Sequence, residues 1–430
     1  MRTLMFGWEF PPHVAGGLAT ACYGLTKGLA KHGVDMLFVV PKAYGDEDQS
    51  ATRIVSAENF EYTGSDTELE LLWKHLIYIE AGSNLIPYLS PEEFENISHD
   101  VSSKGISHTS HFRHKFRFSG GYGKNLMNEV VAYALLAYNI AKQHIHEFDI
   151  IHAHDWLTYL AGISAKRASG KPLVIHVHAT EFDRSGENVN QMVYDIERRG
   201  MQEADKIITV SNLTRNIVIN RYGIDPHKVV TVHNAVDFNT NKFEDIEHGT
   251  TEKVVTFLGR ITYQKGPDYF VEAAYKVLKR HKNVRFVMAG SGDMLNRMIR
   301  HVARLGIADR FNFTGFLRGD DVQQMFALSD VYVMPSVSEP FGISPLEAMR
   351  AHVPTIISKQ SGVAEILKHA VKIDFWDVDA MADAIYGILS YPALTDMFIR
   401  LGDEEVESLK WDKAAMKVKS VYEQVCGSSA

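Results

Sequence analysis

The strongest constraint on the fold is a series of short β-branched runs that alternate with helical patterns along most of the chain. The runs lie at 3–7, 34–40, 149–152, 173–177, 206–210 and 229–232, and again at 254–258, 284–289, 311–314, 331–334 and 355–358. Continuous apolar strands separated by helices are typical of parallel sheets that are covered on both faces. Two such series predict an α/β protein with two doubly wound, Rossmann-like domains.

The length of the chain agrees with two domains, because 430 residues exceed one ordinary domain. The polar stretch 238–253 has no clear periodicity, and we interpret it as the linker between a first domain over 1–237 and a second over 254–410. A C-terminal helix within 411–430 is expected to pack back on the first domain. The mixed, Ser- and His-rich segment 44–123 interrupts the first domain and is predicted to be an insertion, for which a functional loop and disorder both stay open.

Composition and charge narrow the class of protein. The chain is 45% hydrophobic and 23% charged, as in ordinary globular proteins, and its net charge of −8 argues against a general nucleic-acid or anionic-membrane surface. No signal peptide or membrane span is predicted. Cys22 and Cys426 lie at opposite ends without metal-ligand spacing. A reducing compartment, the cytoplasm by default, fits them best, and one disulfide between the two ends stays open.

The stretch SEPFGISPLEAMR (338–350) places two glutamates, Glu339 and Glu347, around a loop that contains Pro and Gly. One interpretation is a capping box, with Ser344 as the N-cap, Pro345 as the first helical residue and Glu347 returning a hydrogen bond. The other is a ligand site, because the loop directly follows the predicted strand 331–334. Open α/β sheets bind ligands at the carboxyl ends of their strands.

In the ligand-site interpretation, the free amides of Gly342, Ile343 and Ser344 at a helix N-terminus suit a phosphate group. Glu339 and Glu347 are then better placed to accept hydrogen bonds from sugar hydroxyls on either side of that phosphate. A phosphate between two hydroxyl-rich rings describes a nucleotide sugar.

Two further stretches follow the first predicted strand of each domain. In FLGRITYQKG, Arg260 and Lys265 could neutralise a diphosphate, or they could be solvated surface charges. In WEFPPHVAGGLA, Gly16 and Gly17 open a helix and would let the backbone approach phosphates closely, although a pair of helix-packing glycines is the alternative. Neither stretch matches the G-x-G-x-x-G dinucleotide pattern, which disfavours a nicotinamide oxidoreductase.

Together these segments resemble the retaining glycosyltransferases of family 4, which have the GT-B fold of two Rossmann-like domains facing a central cleft and include glycogen synthase relatives. The most specific motif is the Glu-x7-Glu arrangement with PFG between the glutamates. HAHDW (152–156), VIHVHATEFDRSG (174–186), ADKIITVS (204–211), VHNAVD (232–237) and LGRITYQKG support it in the expected order. The sequence departs from glycogen and starch synthases that use ADP-glucose, because it has VAGGL where they commonly have KTGGL.

The resemblance implies a role for each matching residue on the donor side. Glu339 would contact the hydroxyls of the transferred sugar, and Glu347 would hold the nucleotide ribose. Arg260 and Lys265 would bind the diphosphate and stabilise it as the leaving group. Gly17, together with the preceding glycine, would approach the phosphates from the opposite domain.

On the acceptor side, the resemblance places His178 near the sugar and the reaction centre, and Asp155 near the acceptor. His152 and His176 are expected to be core histidines that hydrogen-bond to the backbone. The implied reaction moves a hexose, glucose in the first instance, from a nucleoside-diphosphate sugar to a hydroxyl of a sugar or glucan with retention of configuration. No cofactor and no metal are implied. The alternatives are a nucleotide-sugar epimerase on the same scaffold and a non-catalytic glycan- or nucleotide-binding protein.

The insertion contains two further patterns. His111-x-x-His114 has plausible spacing for a metal site, but no carboxylate or Cys nearby completes a ligand set, so no metal is predicted there. Phe116 and Phe118 alternate with basic residues, which suggests either stacking on a glycan or a half-buried strand with a charged face.

Overall fold

The computed structural model describes residues 1–13, 16–64, 112–123, 125–236 and 251–427. Two parallel β-sheets with helices on both faces dominate this part of the chain, and each is built from one of the two series of strands that the sequence predicts. No helix in these ranges combines the length and the apolar character that a membrane span requires.

The first half of the chain forms a seven-stranded sheet and a small separate hairpin. The strands are β1 (Arg2–Phe6), β2 (Asp35–Val40), β3 (Arg53–Ser56), β4 (Tyr62–Gly64), β5 (Phe112–His114), β6 (Ile150–His154), β7 (Leu173–Val177), β8 (Lys206–Thr209) and β9 (Val229–Thr231). The order in the large sheet is β3-β2-β1-β6-β7-β8-β9, and every neighbouring pair is parallel. β4 and β5 pair antiparallel.

Helices cover both faces of this sheet. They are α1 (Gly17–Lys31), α2 (Leu126–Gln143), α3 (Trp156–Ser169), α4 (Glu181–Ser185), α5 (Gln191–Glu203) and α6 (Asn212–Tyr222). Local sequence explains several boundaries. Asn190 and Ser211 are N-caps whose side chains accept hydrogen bonds from the first amides of α5 and α6, and α3 ends at Gly170 in the left-handed conformation.

The second half forms a six-stranded parallel sheet. Its strands are β10 (Lys253–Leu258), β11 (Val284–Ala289), β12 (Phe311–Gly315), β13 (Val331–Met334), β14 (Thr355–Ser358) and β15 (Val371–Ile373), in the order β12-β11-β10-β13-β14-β15. The helices around it are α7 (Pro267–Arg280), α8 (Leu295–Arg304), α9 (Asp320–Ala327), α10 (Ser344–Arg350), α11 (Val378–Ser390) and α12 (Pro392–Glu407). In both sheets the strand order changes direction next to the first strand, which is where such folds open a crevice.

The last helix, α13 (Trp411–Gly427), lies on the first sheet and not on the second. It packs against α1, where a Cβ built on Gly24 would fall 2.2 Å from the indole nitrogen of Trp411 and one built on Gly28 would fall 2.7 Å from Cβ of Ala415. The two helices therefore approach so closely that only glycine fits at these positions of α1.

Most predicted strands are present within a residue or two of their predicted bounds. The sequence missed β3 and β4, which lie within the range 44–123, and β15, because all three are only three or four residues long and lack a continuous apolar run. Residues 237–250, which contain most of the predicted linker, lie outside the described residues, and so does His111 of the histidine pattern.

The glycan-stacking hypothesis for the aromatic residues after β5 is wrong for Phe118. Its side chain is only 4% exposed and packs edge-on against Tyr133, with 6.3 Å between the ring centroids. Phe116 is half-buried against the same core, while Lys115 and Arg117 are exposed. The alternative, a half-buried strand with a charged face, is right about the alternating burial, but the strand β5 ends at His114 and residues 115–118 lie outside it.

Candidate active site between the two sheets

The carboxyl ends of the strands in the two sheets face each other. In the first sheet, β6 is followed by Asp155 and β7 by His178; in the second, β13 is followed by the loop that carries Ser338. The two sides touch, because the Ser338 hydroxyl donates a hydrogen bond of 2.6 Å to Oδ1 of Asp183 in α4. The strand ends that carry Asp155 and His178 and the loop that carries Ser338 therefore lie around one shared crevice.

Lys265 and Glu339 form an ion pair at this crevice. Nζ of Lys265 donates to Oε2 of Glu339, and the hydroxyl of Ser336 donates to the same oxygen at 3.2 Å. The Glu339 side chain is 9% exposed and that of Lys265 21%, so both charges are largely withdrawn from water. Arg260 lies on the same loop as Lys265 but is exposed, and it donates to Oε1 of Gln264 at 3.3 Å. The structure thus brings two of the predicted residues into contact and places the third beside them.

The predicted capping box at α10 is wrong. The helix begins at Ser344 with Ile343 as its N-cap, and no side chain makes a capping hydrogen bond. The Ser344 hydroxyl is instead hydrogen-bonded at 2.8 Å to the hydroxyl of Tyr332 in β13. Gly342 just before the helix has φ of 99°, a conformation that favours glycine.

Glu347 is therefore not held by the cap of its own helix. Its side chain is partly buried, and burial raises its pKa while the nearby Arg350 lowers it. A buried carboxyl that does not serve the helix start is suited to accept hydrogen bonds from a polar ligand.

Asp155 and His178 form the opposite wall. Asp155 is a buried non-glycine residue with φ of 59°, and its Oδ1 accepts hydrogen bonds from the amides of His178 at 2.7 Å and Ala179 at 3.3 Å. Burial raises the pKa of Asp155 to about 6, against the opposing effect of Arg184 and the two amides. Burial lowers the pKa of His178 to about 3, so its imidazole is neutral near pH 7. Backbone strain at a buried acid is a frequent feature of functional sites.

Behind His178, three more histidines pack against each other, because β6 and β7 place them on one face in register. His154 shares a 3.0 Å hydrogen bond between ring nitrogens with His178, and His152 bonds to the hydroxyl of Tyr422 in α13. Both ring nitrogens of His176 are buried without a hydrogen-bond partner. The expectation that His152 and His176 bond to the backbone is therefore wrong.

Ring nitrogens of His152, His154 and His176 lie within 4.8 Å of one another, close enough to share a metal ion in principle. However, the His152 and His176 rings are stacked almost parallel, with an interplanar angle of 8°, so their nitrogens point side by side. The prediction of no metal stays a prediction.

The residues of the segment TEFDRSG (180–186) were not predicted to have a role from the sequence. Thr180 and Asp183 form a capping box that starts α4, which fixes the second carboxylate oxygen of Asp183 and leaves the first for Ser338. Arg184 forms ion pairs with Glu181 and the buried Glu197. Glu181, Asp183 and Arg184 follow soon after the buried strand β7. Such a group of charged residues at the carboxyl end of a parallel strand could have indicated that they belong to the site.

The predicted glycine pair stands apart. Gly16 is the N-cap of α1 and Gly17 its first residue; both are exposed, and a Cβ on either would meet nothing within 4 Å. Open space there is compatible with a ligand, but no contact links the pair to Lys265 or Glu339.

The sequence comparisons agree with the geometry. The family model described as "Glycosyl transferases group 1" matches residues 238–404, and the model "Glycosyltransferase Family 4" matches residues 98–240. An uncharacterised glycosyltransferase of Methanocaldococcus jannaschii is 30% identical, and the alignment covers 98% of each chain. The glycogen synthase of Mycobacterium tuberculosis is 24% identical over 98% of this chain and 94% of its own length.

Among solved structures, the Anabaena protein HepE in complex with UDP and glucose has a TM-score of 0.68 to this chain. The two share 15% sequence identity, and the superposition covers 99% of this chain and all of HepE (100%). At that identity the likeness concerns the fold.

Proposed function

Because the chain belongs to the family 4, group 1 glycosyltransferases and has their GT-B fold, we propose that it transfers glucose from a nucleoside-diphosphate donor to a hydroxyl of a sugar or glucan, with retention of configuration. The observation that carries the proposal is the Lys265–Glu339 ion pair at the crevice, beside Ser338, which donates a hydrogen bond to Asp183 of the first half. A cation shielded from water suits the phosphate side of a glycosyl–phosphate bond. A carboxylate shielded from water suits the hydroxyls of the sugar on the other side.

On the donor side, Lys265 and Arg260 bind the diphosphate, with the amides of Gly342, Ile343 and Ser344 beside them. When the glycosyl–phosphate bond breaks, negative charge grows on the departing oxygen, and preorganised cations and amides stabilise it. Glu339 accepts hydrogen bonds from hydroxyls of the transferred sugar. Because Lys265 and Glu339 are in contact, one nucleotide sugar can bind Lys265 through its phosphates and Glu339 through its sugar hydroxyls.

Glu347 takes the ribose of the nucleotide, since its carboxylate does not serve the helix start. Gly16 and Gly17 approach the phosphates from the first sheet, where their surroundings are open. The base of the nucleotide is left to experiment.

On the acceptor side, Asp155 orients the loop that carries His178 through its hydrogen bonds to two amides. The neutral imidazole of His178 hydrogen-bonds the sugar at the reaction centre without adding a charge. The acceptor oxygen forms its bond to the anomeric carbon on the face that the phosphate leaves. Its proton passes to the departing phosphate oxygen, and no enzyme nucleophile takes part.

Named relatives support the choice of substrates. The relative from M. tuberculosis is a glycogen synthase, and HepE was solved with UDP and glucose.

The two cysteines are free thiols, Cys22 buried in α1 and Cys426 partly buried in α13, which leaves the terminal disulfide unformed. Free thiols support a reducing compartment, and we place the enzyme in the cytoplasm on that ground.

The proposal is tested by a thermal-shift panel of UDP, ADP, GDP and their glucose conjugates on the wild type and on Glu347→Gln. One nucleotide should raise the melting temperature, and the variant should lose the shift because its ribose contact is weakened. Glu404→Gln, an exposed glutamate on α12, is the matched control and should keep it.

Transfer to maltose or glycogen with the donor that the panel identifies should then give an α-linked product. No shift with any nucleotide at millimolar concentration, or release of an epimerised nucleotide sugar in place of a transfer product, would overturn the proposal.

A further inference from the structure

The carboxyl edge of the second sheet carries aromatic residues that the reaction does not use. Tyr263 is 58% exposed and Trp376 is 57% exposed, and the half-buried rings of Tyr269 and Phe375 belong to the same cluster. We call these four residues the aromatic platform. Large aromatic side chains left in water on a rigid surface mark a binding site more often than single exposed apolar residues do.

Three rings of the platform, those of Tyr269, Phe375 and Trp376, are in contact. Tyr269 and Phe375 meet edge to face with 5.1 Å between their centroids, and Phe375 and Trp376 do so at 4.8 Å. The pKa of Tyr269 is raised by burial and then by the neighbouring Tyr263, which agrees with hydroxyls that lie close together. Phe375 thus packs against both Tyr269 and the exposed indole of Trp376.

The backbone beneath Trp376 is fixed. The amide of Asp377 donates to the carbonyl of Asp374 at 2.9 Å, and the amide of Val378 donates to the carbonyl of Trp376 at 3.0 Å. The side chain of Asp377 caps α11 by accepting from the amide of Ala380 at 2.9 Å. An indole held by a tight turn and a helix cap loses little conformational entropy when a ligand covers it.

Gln360 connects the platform to the donor site. Its backbone carbonyl accepts from the amide of Glu339 at 3.0 Å, while its side chain donates to Asp374 at 2.9 Å and accepts from the amide of Phe375 at 3.4 Å. At the other end of the platform, Tyr263 begins the 3-10 turn Tyr263–Lys265. The platform is therefore continuous with the residues proposed to bind the donor.

The two carboxylates that flank Trp376 in sequence already have partners. Asp374 pairs with Lys359 at 2.9 Å, and Asp377 is occupied as a helix cap. A surface built mainly of aromatic ring faces suits a neutral ligand with apolar C–H groups better than an anion, which the negative face of a ring repels. The apolar C–H face of a hexose ring is such a ligand, because it can lie on the electron-rich face of an indole or phenol.

We propose that the aromatic platform binds a neutral glucan chain and holds it beside the catalytic crevice. The inference deepens the proposed function, on which it rests, by assigning a polymeric acceptor and a second place where that polymer is held. Binding there raises the local concentration of acceptor ends near the crevice without contributing to the chemical step.

The test is affinity electrophoresis of the full chain in gels that contain glycogen, with the double variant Tyr263→Ala/Trp376→Ala. The variant should bind glycogen about tenfold more weakly than the wild type, because two exposed rings are removed. Tyr391→Ala is the matched control: Tyr391 is 62% exposed but lies at the far end of α11, roughly 20 Å along the helix from Trp376. It should bind glycogen like the wild type.

Kinetic measurements separate the platform from the reaction. In the single variant Trp376→Ala, which leaves the turn of Lys265 intact, KM for glycogen should rise while the turnover of maltose and the nucleotide-induced thermal shift stay unchanged. Equal retention of variant and wild type, or no retention of the wild type by glycogen, would overturn the platform. Retention that depends on Trp376 in a protein without transferase activity would support the platform and refute the proposed function instead.

Discussion

Asp155 shows most clearly how one residue can combine strain, burial and charge. Its φ of 59° is unusual for a residue with a side chain, and its carboxylate is buried against two amides. Burial raises its pKa from 3.8 to about 6. Near neutral pH the carboxylate is still mostly ionised, and keeping this charge buried lowers the free energy of unfolding. Such a cost is tolerated where the carboxylate positions a functional loop.

We predict that Asp155→Asn stabilises the protein at about pH 7.5 by up to roughly 3 kcal/mol, because the amide has no charge to bury. The folded wild type takes up its proton near pH 6, whereas the unfolded chain does so near 3.8. The wild type therefore gains stability relative to the variant as the pH falls through this range. Urea unfolding of both proteins across the range measures the difference. A gap that does not shrink toward low pH would contradict the prediction, and transfer activity should fall in the variant.

The Lys265–Glu339 pair is a second residue-scale feature, since each side chain stabilises the other away from water. In Lys265→Met, Glu339 loses its ion-pair partner and keeps the hydrogen bond from the Ser336 hydroxyl at 3.2 Å. We expect the free energy of unfolding to fall by about 3 kcal/mol and the turnover to fall by a factor on the order of 10² to 10³.

Adding Glu339→Gln to Lys265→Met removes the unpaired buried charge, so the double variant should regain most of the stability without regaining activity. Thermal unfolding and transfer assays on Lys265→Met, Glu339→Gln and the double variant measure both quantities. If the loss of stability in the double variant equalled the sum of the losses in the two single variants, the ion pair would not contribute to the stability of the protein.

At the scale of elements, the contact between α1 and α13 joins the two ends of the chain. The contact depends on Gly24 and Gly28, which face Trp411 and Ala415 one helical turn apart. The same interface buries Tyr422, whose hydroxyl reaches His152 in the central strand β6. The C-terminal helix is thus part of the first sheet's core.

We predict that Gly24→Ala destabilises the protein by about 1–3 kcal/mol, because its new methyl group would overlap Trp411. Gly387→Ala is the matched helical control: a Cβ there meets nothing within 4 Å, so alanine should stabilise α11 by about 0.5–1 kcal/mol. Chemical denaturation of both variants gives the two values. Equal effects in the same direction would show that helix propensity, and not packing, controls the α1 position.

At the scale of the whole molecule, the two halves are connected by Glu365 of the 3-10 turn Gly362–Glu365. Its carboxylate accepts from the amides of Asn212 at 2.9 Å and Leu213 at 2.7 Å, at the start of α6, and from Nε2 of His233 at 2.9 Å. Burial alone would raise the pKa of Glu365, but these hydrogen bonds lower it below its ordinary value. The carboxylate thus holds a helix N-terminus of the first half to the second half.

We predict that Glu365→Ala lowers the free energy of unfolding by about 2–3 kcal/mol and raises KM for the donor, because three hydrogen bonds across the crevice are lost. Small-angle scattering should show a larger radius of gyration in the variant without donor. Glu404→Ala removes an exposed glutamate that pairs only with Arg400, and it should change neither quantity. A compact Glu365→Ala protein with normal KM would show that other contacts set the relative position of the halves.

The sequence by itself determined the two series of strands and the motifs at their carboxyl ends. Strand and helix patterns are local, since they report which faces of a short segment are apolar. The residues of the Glu-x7-Glu loop and of FLGRITYQKG were identified for the same reason: each motif is a contiguous stretch with its own geometry. β3 and β15 were not predicted, because short edge strands lack a continuous apolar run.

Only the tertiary structure decided which of these residues meet. Ser338 and Asp183 are 155 positions apart and Glu365 and Asn212 are 153 apart, and no local pattern encodes such contacts. The structure also settled the local ambiguities, because the Ser344 hydroxyl had a better partner in β13 than in its own helix. Burial and pairing depend on what the rest of the chain places nearby, and the chemistry of Asp155 and Lys265 therefore follows from the fold and not from their neighbours in sequence.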